Sequence, residues 1–165
     1  MPVSDYGDTQ GGKPEAQLSQ QTLVRVIAKM TIPFILAFGI YVILHGELGP
    51  GGGFQGGVIL AAAFILYGLV FGADELRRRI PPVYIDCGMA LGALLYAGVG
   101  LACLIKGGTF LDYGMLRPES AGDGEALGMS LVEYGVGLTV CSVMVTIYLM
   151  ISERRWTIRP GEEGL

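Results

Sequence analysis

Residues 83–105 read VYIDCGMALGALLYAGVGLACLI, a run of 23 residues in which Asp86 is the only charged side chain. At about 1.5 Å of rise per residue, a helix of this length reaches about 34 Å, and the hydrocarbon core of a bilayer is about 30 Å thick. Three further blocks have the same apolar character, at 26–44, 54–72 and 129–151. We therefore predict four transmembrane helices.

The charged residues of the chain avoid these four blocks. Only Lys29, Asp86 and Glu133 fall inside them, although the chain has 11 Lys and Arg and 15 Asp and Glu. Because a bilayer offers no water to unpaired backbone groups, such blocks can span it only as helices. The pattern predicts an all-α, multi-pass membrane protein and disfavours a soluble enzyme. A net charge of −4 also argues against a nucleic-acid partner.

The rest of the chain is polar. We expect a disordered tail over 1–22, a four-helix membrane domain over 23–152 and a second tail over 153–165.

The orientation follows from the Lys and Arg residues near the block ends, because positively charged loops are retained in the cytoplasm. Placing the Arg-rich loop 73–82 inside also places both termini inside. That arrangement puts eight Lys and Arg residues inside and two outside, leaving aside Lys29. We predict that both termini are cytoplasmic.

Small residues recur at intervals that suit close helix packing. Three glycine pairs have the G-x-x-x-G spacing: Gly53 and Gly57, Gly68 and Gly72, Gly88 and Gly92. The three cysteines have no C-x-x-C spacing and form no pattern with the single histidine. We therefore expect no disulfide and no metal site. We also predict no cofactor and no catalytic residue.

The connection between the first two blocks, HGELGPGGGFQGG over 45–57, has seven glycines in thirteen residues. It lacks the Lys and Ser or Thr of a nucleotide-binding P-loop, so phosphate binding is not expected. Glycines here allow the backbone to turn tightly or approach other segments closely. The residues that carry the pattern are His45, Gly46, Pro50, Gly51, Gly52, Gly53, Phe54, Gln55, Gly56 and Gly57.

Together with the flanking segments from Pro33 to Tyr41 and from Val58 to Gly68, this loop resembles the MnhB/MrpB-type component of the multisubunit Mrp/Mnh sodium/proton antiporters. The same module occurs in membrane-bound hydrogenases. The resemblance is strongest over about 25–80. One departure is Glu47, where the family often has His or Asn.

The resemblance implies a small, non-catalytic subunit of a hetero-oligomeric complex in the cell membrane, with Na⁺ and H⁺ as the transported ions. Its partners would be the other subunits of an Mrp-type or complex-I-like assembly. Two alternatives stay open at this point. One is the sodium-translocating module of a membrane-bound hydrogenase or related oxidoreductase, and the other is a purely structural scaffold.

Ionisable residues inside the membrane are costly and are therefore the default candidates for an ion pathway. Lys29 and Asp86 lie at a shared depth near the predicted inner face. They are expected either to form an ion pair or to leave Lys29 reaching for the interface. Pro33 removes the hydrogen bond to the Lys29 carbonyl and should kink the helix there. The freed carbonyl beside Asp86 would suit a hard cation such as sodium.

A second polar group is expected near the opposite face, where Glu133 and His45 lie with Glu47. A histidine beside a carboxylate can relay protons, and at an interface it can also serve only as a hydrogen-bonded anchor. We therefore name His45, Glu133, Asp86 and Lys29 as candidates for an ion pathway.

Overall fold

The computed structural model describes residues 14–46 and 51–157, and in these ranges it is helical with no strand. The helices are α1 (Pro14–Leu44), α2 (Gly53–Phe71), α3 (Ala73–Arg79), α4 (Pro82–Ile105) and α5 (Ala121–Thr157), with a 3₁₀ turn at Tyr113–Leu116. Four segments are long and apolar enough to cross a membrane, namely Thr22–Leu44, Gly53–Phe71, Pro82–Ile105 and Gly122–Glu153. The expected all-α fold with four spans is confirmed.

The helices extend beyond the apolar blocks at both ends of the chain. α1 begins at Pro14, so residues 14–22 of the expected disordered tail are helical, and residues 1–13 lie outside the described residues. Proline at the first helical position lacks only an N–H that has no partner inside the helix. α5 runs to Thr157, past the predicted end of its span, and the remainder of the second tail is likewise outside the described part. Hydropathy identifies the apolar part of a helix and not its polar extensions.

The four long helices run alternately up and down and pack in the order α1, α2, α5, α4. The main contacts join α1 to α2, α2 to α5 and α5 to α4. α2 and α5 therefore form the centre of the bundle, and α1 and α4 lie on its two sides.

Glycines allow the central helices to approach closely. A Cβ added to Gly57 of α2 would lie 2.6 Å from the carbonyl oxygen of Gly137 on α5. On the other side of α5, a Cβ on Gly92 of α4 would overlap the Thr139 hydroxyl. The pairs Gly53/Gly57 and Gly88/Gly92 thus lie at helix contacts, as their spacing predicts.

The third glycine pair behaves differently. Gly68 lies against the ring of Tyr148, but Gly72 has nothing within 4 Å of an added Cβ. Gly72 has φ 102° and forms the sharp turn between α2 and α3. Since only glycine adopts this region without strain, its role is conformational and not a packing contact.

The short helix α3 lies in the segment that we expected to be a charged loop. Its Leu76 is 1% exposed and belongs to an apolar cluster with Ala61, Ile85, Val145 and Leu149. Burial of this one leucine side chain contributes about 1.5–3 kcal/mol to the packing of the seven-residue helix against the bundle.

The long loop between α4 and α5 folds back onto the helices. Lys106 Nζ donates a hydrogen bond to the Leu116 carbonyl at 2.6 Å, and the Phe110 ring meets Tyr96 edge-on with centroids 6.4 Å apart. Gly124 and Gly128 at the start of α5 leave room for Tyr113. This loop covers the end of the α4–α5 pair.

Candidate functional site

The carboxylate of Glu133, on α5, lies against the two ends of the Gly-rich connection between α1 and α2. A Cβ added to Gly46 would overlap the Glu133 carboxylate, and one on Gly52 would lie 3.0 Å from its Oε1. A Cβ on Gly53 would overlap the backbone carbonyl oxygen of Glu133. We call Gly46, Gly52, Gly53 and Glu133 the glycine cradle.

The cradle follows from two features of the sequence. Gly53 and Gly57 lie one turn apart on α2, and Glu133 and Gly137 lie one turn apart on α5, so the two helices meet through matching faces. Glu133 is half-buried at this contact and is not without a bonding or electrostatic partner there. The sequence therefore brings an ionisable group to a close backbone contact between the two central helices.

His45 lies directly before Gly46, at the same end of the bundle. Its ring stacks on Tyr41 with centroids 4.3 Å apart, and Nδ1 is 3.2 Å from the Tyr41 carbonyl oxygen. When Nδ1 carries the proton it donates to that carbonyl, which leaves Nε2 as an acceptor. The side chain is exposed. The structure thus brings His45 and Glu133 to one end, as expected, whereas Glu47 and Pro50 lie outside the described residues.

The expected ion pair between Lys29 and Asp86 is wrong. α1 packs on α2 and α4 packs on α5, so the two helices that carry these residues lie on opposite sides of the central pair. Lys29 Nζ instead lies 5.8 Å from the centroid of the Phe71 ring, and Asp86 is exposed on α4. Equal depth in the membrane does not make two residues neighbours, and the sodium site proposed beside Asp86 loses its geometric basis.

Pro33 lies within α1, which continues as one helix from Pro14 to Leu44. The kink at this residue stays a prediction.

An ion pair that the sequence analysis missed lies at the opposite end of the bundle from the cradle. Arg77 of α3 contacts the carboxylate of Glu153 near the end of α5. The hydrogen bond to Glu153 raises the pKa of the Arg77 guanidinium. The run of three arginines was a signal for a charged surface, but nothing in the sequence connected it to Glu153.

Comparison with known proteins gives a consistent result. The family profile described as "Domain related to MnhB subunit of Na+/H+ antiporter" matches residues 23–146. The chain belongs to the MnhB family. An antiporter subunit named mnhB2 from Staphylococcus haemolyticus is 33% identical over 132 residues, which cover 79% of this chain and 93% of that protein. The resemblance noted in the sequence is confirmed.

Two further relatives carry the same name. The mnhB2 antiporter subunit of Staphylococcus epidermidis is 32% identical over 136 residues, and that of Staphylococcus aureus strain MRSA252 is 32% identical over 135 residues. Each alignment covers 81% of this chain and 95% of the relative. The match to the MnhB profile includes the whole glycine cradle and ends before Glu153.

In this MnhB-family chain, the cysteines do not add to the candidate site. Cys87, Cys103 and Cys141 are all free thiols. Within residues 14–46 and 51–157, no three His, Cys, Asp or Glu side chains gather in a way that could hold a metal ion. The chemistry available at the cradle is that of one carboxylate with an imidazole at the same end.

Proposed function

We propose that the chain is a subunit of a multisubunit Na⁺/H⁺ antiporter complex in the cell membrane. Membership of the MnhB family supports this, together with relatives named as antiporter subunits and four helices able to span a bilayer. The chain is then a component of a transporter and not an enzyme. Its partners are the other subunits of the complex, and Na⁺ and H⁺ are the ions exchanged.

The relatives favour the antiporter over the two alternatives left open by the sequence. Each relative described above is named as an antiporter subunit. Those names give no support to a hydrogenase or another oxidoreductase as the parent complex. Substitution of Glu133 distinguishes the remaining two functions. It should lower transport if the chain handles ions, and it should leave transport unchanged if the chain is only a structural scaffold.

The residue that we propose to handle ions is Glu133. A carboxylate can bind a proton or coordinate a hard cation such as Na⁺, and an intramembrane carboxylate is retained at a cost of about 2.5–3.5 kcal/mol on insertion scales. The observation that supports the proposal is the glycine cradle, in which the backbone at Gly46 and Gly52 lies directly against the carboxylate. This contact fixes the position of the carboxylate next to His45, at one end of the bundle.

His45 is proposed as the group that passes protons between Glu133 and the surface. Its exposed ring lies one residue from Gly46, which contacts the Glu133 carboxylate. Further along α5, the hydroxyl of Thr139 donates a hydrogen bond to its own helix at the Gly135 carbonyl and is not free to donate to a path from Glu133. The partner subunits supply the remainder of the path.

The substitution Glu133→Gln tests this role, because an amide keeps the volume and the hydrogen bonds but cannot ionise. We expect normal assembly on native gels and a strongly reduced antiport rate in inverted vesicles measured by dye quenching. Glu125→Gln is the matched control, since Glu125 is exposed two turns earlier on the same helix. Normal transport by an assembled Glu133→Gln complex leaves the scaffold as the function.

The orientation is proposed from the Lys and Arg distribution, with both termini in the cytoplasm. Reporter fusions at residue 165 and within 106–128 test it. A periplasm-active fusion at 165, or a cytoplasm-active one within the loop, contradicts the proposal.

A further inference from the structure

At the end opposite the glycine cradle, α1 and the α2–α3 corner enclose an open cleft of about 480 Å³. Its walls are formed by Arg25, Lys29, Tyr67, Phe71, Glu75 and Arg79. The proposed ion pathway, through Glu133 and His45, does not include any residue of this cleft. We propose that it binds the phosphate group of an anionic phospholipid.

The charges in the cleft favour the binding of an anion. Arg25 and Lys29 lie four residues apart on one face of α1, where like charges repel each other. Opposite them, Arg79 bonds Glu75 at 3.4 Å, so the single carboxylate is already shared. The cleft thus holds three cationic groups and one acidic group, a net charge of +2 that a phosphate would offset.

The position of the cleft favours a lipid as the source of the phosphate. Phe71 is the last residue of α2, and α3 follows after the turn at Gly72, so the cleft lies where an apolar span meets a charged helix. Basic pockets between helices at this level bind phospholipid headgroups. Lys29, lying over the Phe71 ring, extends from within its span toward this boundary.

A track for acyl chains continues from the cleft. On the face of α1 that carries Lys29, the next residues along the helix axis are Pro33, Ala37 and Ile40, and all three are exposed. A lipid whose phosphate occupies the cleft could therefore lay a chain along apolar surface. A soluble phosphate compound has no acyl chain to cover this surface.

The test compares two lipids with identical acyl chains, phosphatidylglycerol and phosphatidylcholine, added to the full chain purified in detergent. Thermal unfolding and native mass spectrometry report stabilisation and the number of retained lipids. We expect a higher Tm and retained lipid with phosphatidylglycerol only. Each basic residue removed should weaken the apparent affinity about fivefold. Equal effects of the two lipids contradict the proposal.

Variants on the short helix supply matched controls. Arg79→Gln should weaken phosphatidylglycerol binding, whereas Arg78→Gln, with the same charge change on an exposed neighbour outside the cleft, should not. Glu75→Gln should strengthen it, because the competing carboxylate is removed. An increase of this kind cannot come from a misfolded variant. Equal weakening by Arg78→Gln and Arg79→Gln, or no change with either, overturns the assignment.

Two further arms identify the occupant. Inorganic phosphate at the same concentration should give little protection, and protection equal to that of phosphatidylglycerol would assign the cleft to a free phosphate. The second arm purifies the whole complex with Arg25→Gln and Lys29→Gln combined. Loss of bound phosphatidylglycerol with all subunits retained supports the lipid. Loss of a subunit with lipid content unchanged shows instead that a partner's acidic group occupies the cleft.

Discussion

The two ends of the bundle are built on opposite principles. At the glycine cradle, contacts depend on absent side chains, so that the carboxylate and backbone of Glu133 fit against Gly46, Gly52 and Gly53. At the other end, which we call the arginine end, α3 is held by the buried Leu76 and by the ion pair of Arg77 with Glu153 on α5, while Arg79 pairs with Glu75 within α3. An added side chain should therefore disrupt packing at the glycine cradle, and a changed charge should alter the stability of the arginine end.

The two ends also differ in exposure, because the glycine cradle is close-packed and the charged side chains of the arginine end are largely exposed. The backbones of α2 and α5 lie so close at the cradle that a Cβ added to Gly53 would overlap a carbonyl oxygen of the neighbouring helix. The side chains of Glu153 and Arg79 are 59% and 69% exposed, so water screens much of what their ion pairs contribute. The expected effects of substitution differ accordingly in size.

The largest effect is expected for Gly53→Ala. The added methyl group would overlap the backbone carbonyl oxygen of Glu133, which no rotamer change can relieve. Overpacking of this kind costs about 1–3 kcal/mol, and the larger Gly53→Val should prevent assembly altogether. Native gels of the complex and its thermal unfolding measure both.

The control for this substitution is Gly98→Ala on α4, where an added Cβ meets nothing within 4 Å and the helix gains up to about 1 kcal/mol. If Gly53→Ala and Gly98→Ala behave alike, close packing is the wrong account of the cradle.

A second substitution distinguishes space for backbone from space for the carboxylate. The three atoms nearest to a Cβ on Gly46 all belong to the end of the Glu133 side chain, which can rotate away. Gly46→Ala should therefore leave assembly close to normal and lower the antiport rate several-fold, because the carboxylate is displaced. The two measurements are native-gel yield and dye-quench antiport. Unchanged transport in an assembled Gly46→Ala complex would mean that the position of this carboxylate does not matter.

A smaller effect is expected at the arginine end. Arg77→Gln removes the partner of Glu153 and should lower the Tm modestly, and Glu153→Gln should lower it by a similar amount. Because both changes break the same pair, the double variant should be little worse than either single one. Arg78→Gln, exposed on the same helix, is the control. Fully additive losses would show that the two residues act separately.

The smallest effect is expected for Asp86→Asn. The carboxylate is exposed on α4 and far from Lys29, so no ammonium is left unpaired when its charge is removed. Assembly and transport should both stay near the unsubstituted level. A clear assembly defect would indicate a charged partner on another subunit.

Much of this fold could be predicted because each span carries its own signal. A block such as 83–105 indicates a helix of membrane length without reference to the rest of the chain. The order of the helices carries no such signal. Shared depth suggested that Lys29 meets Asp86, but the lateral order α1, α2, α5, α4 separates them.

The candidate site was predicted in part for the same reason. The Gly-rich loop and the intramembrane position of Glu133 are local features, and both were named from the sequence. That Glu133 lies against Gly46 and Gly53 depends on the crossing of α2 and α5, which the glycine spacing indicates only weakly. Arg77 and Glu153 were not connected, because Glu153 lies beyond the apolar block that indicated α5.

The helix α5 runs without interruption from Ala121 to Thr157, so Glu133 and Glu153 belong to one continuous helix. At about 1.5 Å per residue, the two carboxylates are about 30 Å apart along its axis. If the proposed ion binding at Glu133 shifts α5 along its axis, the same shift would reach Glu153 and its contact with Arg77. One continuous helix would in that way connect the two ends of the bundle.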